Sequence, residues 1–301
     1  TLARGEERSR PVREVVEEIN RAATAGVQEA VLAGVHLGGW GSDLGQGLDD
    51  LIGTLLATTD MPRLRLGSLE PWELPDGLWD HFANPRLMPH LHLPLQSGAD
   101  SVLRRMARRC RTEEFANLVA EARARVPGIH LTTDIIVGFP GETDAEWRQT
   151  LAFVDSIGFG QVHIFAYSPR PGTKAATLPD QVPAEVKKQR SREMHTLARR
   201  MRTDTLARYL GLETTILVEG HQGDDPGSDR FGYTPHYLPA RLRPSSTDDL
   251  TNQLLQVKLT AIHPDGDSLV AILGTPPHRI QEARGTVPIA AMGLASYPTA
   301  S

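Results

Sequence analysis

Apolar residues recur along the first 210 positions in two alternating rhythms. After Pro11, Val12, Val15, Val16, Ile19, Ala22 and Ala23 keep helical spacing until Gly26 ends the run. The short apolar run Val31–Val35 follows and ends in a polar, glycine-rich loop, as a strand entering a site would. The same alternation predicts a helix over 48–58, a strand over 63–70, a strand over 90–98 leading into the helix DSVLRRMARR, and a helix beginning at Thr112. It continues with a strand over 130–142, a helix opening at Thr143 with Glu146 completing a capping box, a strand and long loop over 161–176, and a helix from Ala184 to Leu210.

Five strands, each followed by a helix or loop, are expected, with polar and glycine residues gathered at His36–Gly39, Ser68–Glu70, Gln96–Gly98, Asp134–Glu142 and Tyr167–Thr173. Parallel α/β folds place their chemistry at the carboxyl ends of strands, so this grouping marks a site face. It fits a partial barrel and a doubly wound sheet equally. From Leu212 the rhythm changes to short β-type segments, ETTILVEG, GYTPHYLPARL, LLQVKLTAIHPDG and DSLVAIL, which predict a small β-barrel or sandwich. The division expected is 1–211, 212–272 and an irregular tail over 273–301.

The net charge of -5 hides an uneven distribution. Residues 101–125 carry seven Arg against three Glu, and 181–210 carry eight Lys or Arg against three acids. From 212 to the end six basic residues face ten acidic ones. The basic middle suits a phosphate backbone, or a set of solvated helix faces. No run approaches a membrane span, and the opening TLARGEERSRP has no apolar core, so no membrane partner and no signal peptide are expected. That opening lacks methionine and begins on a motif, which suggests a truncated or processed chain. The single cysteine, Cys110, excludes an internal disulfide and any multi-cysteine metal cage within one chain.

GFPGE at 138–142 has neither P-loop nor dinucleotide spacing. Gly138 and Gly141 permit close backbone approach to a ligand, or simply a tight turn. Asp134 sits inside a strand, where an unpartnered acid is costly, so a ligand or basic group nearby is expected. Gln96, Ser97 and Gly98, and Glu70, offer groups suited to a ribose or an amino-acid head group. His90 and His92 share a strand face, but no histidine pair has zinc spacing with a third ligand, so no metal site is expected.

Six ordered segments carry a resemblance: ARGEERSRP (3–11), GVHLGGWG (34–41), HLPLQSG (92–98) with VLRRM (102–106), TTDIIVGFPGET (132–143), and YSPRPGTKAA (167–176) with DQVP (180–183). Over about residues 1–272 the chain resembles the methylthiotransferase branch of the radical-SAM enzymes. Its wording is most similar to the tRNA threonylcarbamoyladenosine methylthiotransferases.

The resemblance implies an α/β fold: an incomplete (β/α) radical-SAM partial TIM barrel, lacking its first strand and cluster loop, followed by an all-β TRAM barrel that binds RNA. It implies S-adenosyl-L-methionine (SAM) and two 4Fe–4S clusters as cofactors of the parent enzyme. A radical made from SAM would abstract hydrogen from C2 of N6-threonylcarbamoyladenosine at position 37, and a methylthio group would be installed there. The cluster-bearing CxxxCxxC loop of the family precedes the first matched segment, so no cluster is expected on this chain, which is predicted inactive by itself.

Carried over residue by residue, Arg10, Glu70, Gln96, Ser97, Gly98, Asp134, Gly138, Phe139, Pro140 and Gly141 would surround SAM, with Arg10 toward its carboxylate. Tyr167, Ser168 and Arg170 would lie toward the substrate, and Arg241, Arg243 and Lys258 on the RNA face, aided by the basic helix at 184–208. The implied partners are a tRNA anticodon stem-loop and an electron donor, in the cytoplasm. The alternatives are a ribosomal-protein aspartate methylthiotransferase and a non-catalytic RNA-binding remnant. A plain aldolase-type barrel would need a Schiff-base lysine or a compact metal triad. The sequence shows neither, since Lys174 lies well into a loop.

Overall fold

The computed structural model describes residues 8–221, 228–243, 249–274 and 290–293. Residues 3–7 of the first motif and most of the 273–301 stretch lie outside them. The chain forms two compact units, residues 1–91 with 206–301, and residues 92–205.

The first unit holds α1 (Val12–Thr24), β1 (Glu29–Ala33), α2 (Leu48–Thr58), β2 (Arg63–Leu66) and α3 (Leu78–His81). Strand β1 sits beside β2 in parallel register, Glu29 opposite Arg63 and Val31 opposite Arg65. Val15, Ile19, Leu51, Ile52 and Leu55 from the helices, with Leu32, Leu64 and Leu66 from the strands, are at most 1% exposed and form the core. The apolar stripe of α1 is thus the one its spacing predicts.

The alternation in RLRL suggests one apolar face and one wet one. The structure buries all four residues. The arginines are inside because they have partners: Arg65 Nε donates to Glu29 Oε1 at 2.6 Å, and Arg63 Nη1 lies 3.5 Å from Glu29 Oε2. Arg63 also donates to Thr215 Oγ1 and to the Thr215 and Tyr233 carbonyls, and Arg65 to the Pro235 carbonyl. Buried guanidinium groups are tolerated only when so satisfied.

The same unit contains the five-stranded closed barrel of β6 (Glu213–His221), β7 (Arg230–Tyr233), β8 (Pro239–Leu242), β9 (Leu254–Ile262) and β10 (Leu269–Leu273), in the spatial order β10-β8-β7-β6-β9. The segment GYTPHYLPARL, expected to be one β-type stretch, is instead part of a hairpin. A turn closed by Thr234 N to Leu238 O at 3.0 Å separates β7 from β8, with Pro235 preventing a continuous ladder and Tyr237 at φ +60°. Ile216, Val218, Ala240, Leu242, Val257, Leu259 and Leu269 fill the barrel interior. Within the 273–301 stretch, Leu273 closes β10 and Ala290–Gly293 forms a strand, β11, parallel to β1. This departs from an irregular tail, because the free edge of β1 offers hydrogen-bonding groups to pair.

The second unit contains α4 (Asp100–Arg105), α5 (Thr112–Arg125), β4 (His130–Val137), α6 (Asp144–Ile157) and β5 (Gln161–Ala166), and most of α7 (Ala184–Ala207). The strand expected over 90–98 is only His90–His92, β3. Pro94 has no N–H to donate, and the Thr133 hydroxyl steps into the ladder: it donates to Leu93 O at 2.7 Å and accepts from Leu95 N at 3.0 Å. Pairing resumes at Gln96, which bridges Ile135 in parallel. The sheet runs β3-β4-β5, with β4 and β5 parallel. The capping box of α6 forms as its sequence indicates, Thr143 N to Glu146 Oε2 at 2.8 Å and Glu146 N to Thr143 Oγ1 at 3.2 Å. Phe115 and Phe159 meet edge to face in this unit's core. Parallel β/α elements followed in the chain by a closed five-stranded β-barrel are the architecture of a partial (β/α) barrel with a small all-β domain. No helix among the described residues is long and apolar enough to cross a membrane.

Candidate functional site

Alternation along β4 sends Leu131, Thr133, Ile135 and Val137 into the core and leaves Asp134 and Ile136 half-exposed on the opposite face. Neighbouring β5 is half-buried to exposed throughout, with His163 and Phe165 open to solvent. Sheets of parallel strands normally bury both faces under apolar side chains. An open face that carries Asp134 and His163 among the apolar Ile136 and Phe165 is therefore a candidate ligand side.

His92, Asp134 and His163 meet on this face. His92 Nε2 lies 3.3 Å from Asp134 Oδ1, its Nδ1 lies 2.9 Å from Thr132 Oγ1, and its ring is 5.6 Å from that of His163. Although the His163 side chain reaches solvent, partial burial, followed by the neighbouring His92, lowers its pKa and favours the neutral ring. Each of the three offers one ligand atom, all within 4.8 Å of one another, so they could hold a metal ion. Linear spacing could not reveal this group, since its members lie on three separate strands. His90, two positions before His92, is 5% exposed and packs on the Tyr237 ring at 5.0 Å.

Beside the cluster, Gln96 has φ +72°, an uncommon conformation for a side chain of its size. It is held there because its N–H donates to Asp134 O at 2.8 Å and its carbonyl accepts from Ile136 N at 2.9 Å. Ser97 and Gly98 play a different part. Ser97 is fully buried, its hydroxyl 3.1 Å from Thr150 Oγ1, and Gly98 N donates to the same hydroxyl. A Cβ on Gly98 would lie 2.8 Å from Phe153 Cβ and 2.9 Å from Thr150 Cα. These two residues seat α6 against the strand end.

The 138–141 turn is closed by its own chain. Gly138, at φ +74°, donates to Glu142 Oε2, and a Cβ there would come within 2.2 Å of Lys187 Cγ. Lys187 Nζ continues to the Tyr167 carbonyl at 3.0 Å, and Gly141 N donates to Asp180 O at 2.8 Å. Phe139 and Pro140 are buried, Phe139 edge-on to Tyr167 at 5.3 Å. The Tyr167 hydroxyl is buried without a hydrogen-bond partner among the described residues. Ser168 and Arg170 are exposed. Beneath the turn, Arg190 binds the fully buried Glu142 carboxylate at 2.9 Å and Asp144 at 2.7 Å. Lys187, Arg190 and Arg202 are therefore engaged inwardly, whereas Lys188, Arg192, Arg199 and Arg200 are the exposed basic positions of α7, Arg200 being paired with Asp155 at 2.5 Å.

In the first unit, Glu70 is half-buried, and the Arg10 guanidinium pairs with Glu18 on α1 at 2.5 Å. The sequence gives no sign of a pairing between His36 and Glu73, 37 positions apart, yet His36 Nε2 contacts Glu73 Oε1, which also accepts from Trp72 Nε1 at 3.1 Å. Gly38 admits this contact, since a Cβ there would meet Glu73 Cβ at 2.5 Å. On the barrel, Arg241 is tied to Asp265 at 2.6 Å and Arg243 to Asp229 at 3.0 Å. Lys258 is exposed, and its register partner in β10 is the half-exposed Ile272.

Cys110 is buried and its thiol donates to Arg111 O at 3.4 Å. One buried thiol does not fit an iron–sulfur cluster, which takes several thiolates.

Residues 2–154 match the sequence profile described as "Radical SAM superfamily". The chain is 41% identical over 275 residues to "tRNA-2-methylthio-N(6)-dimethylallyladenosine synthase" of Chloroflexus aurantiacus, covering 87% of the chain and 57% of that protein. It is 39% identical over 239 residues to "Threonylcarbamoyladenosine tRNA methylthiotransferase MtaB" of Thermotoga maritima, covering 78% and 55%. The chain thus spans little more than half the length of these relatives, and its similarity to the two kinds is nearly equal. Coproporphyrinogen III oxidase (HemN) of Escherichia coli superposes with a TM-score of 0.48 at 14% identity, covering 83% of this chain and 61% of that one.

Proposed function

The chain belongs to the radical SAM superfamily, and on that premise we propose that it supplies the adenosyl-binding sheet and the RNA-binding barrel of a tRNA methylthiotransferase. The substrate we assign is N6-threonylcarbamoyladenosine at position 37 of a cytoplasmic tRNA. The observation that carries this reading is the open face of β4 and β5, placed beside the strand-end motifs, in a chain homologous to tRNA methylthiotransferases over most of its length.

In this reading Asp134 accepts hydrogen bonds from the ligand on the open face. The strained Gln96 presents its amide beside it, and the 138–141 turn sets the floor. Glu70 and Arg10 are assigned to the cofactor from the resemblance of their own sequence segments alone. Tyr167, Ser168 and Arg170 face the substrate, while Arg243, Lys258 and the exposed cations of α7 approach the phosphate backbone. Bound SAM supplies hydrogen-abstraction chemistry when an iron–sulfur cluster reduces it. The single buried cysteine, Cys110, does not provide the several thiolates such a cluster takes. No step through a cluster is assigned to these residues.

The test is binding. Equilibrium dialysis with radiolabelled SAM should show saturable binding by this chain that Asp134→Asn weakens. Anticodon stem-loops carrying threonylcarbamoyladenosine should shift in native gels at lower protein concentration than those carrying the dimethylallyl base. Retention of RNA without SAM binding would indicate an RNA-binding remnant. Binding of a ribosomal protein in place of RNA would indicate the aspartate-modifying branch.

A further inference from the structure

We propose that His92, Asp134 and His163 form a divalent-metal site of the two-histidine, one-carboxylate kind on the open face of β3, β4 and β5. The strands hold the three together. Asp134 and His163 are direct Cα partners in the β4–β5 register, and Gln96 N donates to Asp134 O from the segment that continues His92.

Donor atoms around a tetrahedral ion with bonds of about 2.0–2.2 Å lie roughly 3.4 Å apart. His92 Nε2 and Asp134 Oδ1 already stand 3.3 Å apart. His163 is exposed, so its ring can turn to complete the set without disturbing the core.

The surroundings match what metal-ligating histidines require. The ring nitrogen of His92 that does not face Asp134 lies 2.9 Å from Thr132 Oγ1. With Nδ1–H donating to that hydroxyl, the lone pair of Nε2 points to the cluster, an outer-shell arrangement that fixes tautomer and orientation. Three protein ligands on a half-open face leave positions for water or an oxygen ligand. Two imidazoles and one carboxylate suit zinc, iron(II) or cobalt(II) better than calcium, magnesium or copper(I). This assignment is argued from the three strands alone; it shares Asp134 with the SAM-binding reading, so His163→Ala, which that reading does not use, separates the two. The other occupancy of the same residues is a plain hydrogen-bonded His–Asp pair.

The probe is cobalt(II), titrated into the full chain after chelator treatment and followed by visible absorption and equilibrium dialysis, without SAM. One equivalent should bind with ligand-field bands, zinc should displace it, and the melting temperature should rise. His163→Ala, which leaves the core untouched, should weaken binding at least about tenfold, as should Asp134→Asn. His195→Ala, at an exposed position on α7, should change nothing. Circular dichroism checks that each variant folds, and His163→Ala decides the matter if Asp134→Asn does not. Absence of stoichiometric cobalt binding, or equal binding by His163→Ala and the unmodified chain, would overturn the site. SAM dialysis on the metal-free chain reports separately on the functional reading.

Discussion

Arg190 closes the 138–142 turn from α7 by donating twice to Glu142, at 2.9 Å to its carboxylate and 3.0 Å to its carbonyl. Burial raises the Glu142 pKa, against the opposing hydrogen bond from Gly138 and the charge of Arg190. Removing one member of a buried pair strands the other, at a cost of about 3–5 kcal/mol. Arg190→Ala should lose that much stability in urea denaturation, whereas Glu142→Leu with Arg190→Met should lose much less. Equal losses in the two would show that the pair is not what holds the turn.

His236 provides a pH handle in the first unit. Burial lowers its pKa to about 4, helped by nearby Arg65 and Arg63. The unfolded chain takes up this proton near pH 6.5 and the folded chain only near 4, so the contribution to stability is complete above pH 6.5 and is lost as pH falls through that window. A shift of this size corresponds to at most about 3–4 kcal/mol. Thermal melts between pH 7 and 4 should show the decline, and His236→Phe should flatten it.

Two glycines separate packing from backbone strain. Gly98→Ala places a methyl against Thr150 and Phe153, and should cost about 1–3 kcal/mol by overpacking. Gly158, the C-cap of α6, has open space around its missing Cβ but φ +65°. Gly158→Ala should cost about 1–2 kcal/mol through the left-handed conformation alone. Gly158→Asn should recover part of that loss, and no residue at 98 should recover the other.

Gln96 sets stability against binding. Its φ of +72° is a conformation that costs of order 1–3 kcal/mol when a non-glycine residue is held there. Gln96→Gly should raise the melting temperature while weakening SAM binding in dialysis. A variant that melts higher and binds SAM unchanged would show that the side chain is no ligand.

The hydrophobic spacing by itself determined the order and kind of the main helices and strands over residues 12–207, but not α3, the β7–β8 turn or β11. The helix over 48–58 and the capping box at Thr143 and Glu146 rest on residues within a few positions of each other, where local physics suffices. The strand-end motifs were equally legible, because glycine and proline act on their own backbone. Tertiary structure decided which side chains those motifs serve. Ser97 and Gly98 turn inward to seat α6, and Lys187 takes the space beside Gly138.

It also decided that Arg63 and Arg65 are interior residues. Their partners, Glu29, Thr215, Tyr233 and Pro235, lie from 34 to 170 positions away, beyond the reach of any local pattern. The grouping of His92, Asp134 and His163 is of the same kind. Alternation gives each residue its face, and only the strand register brings the three faces together.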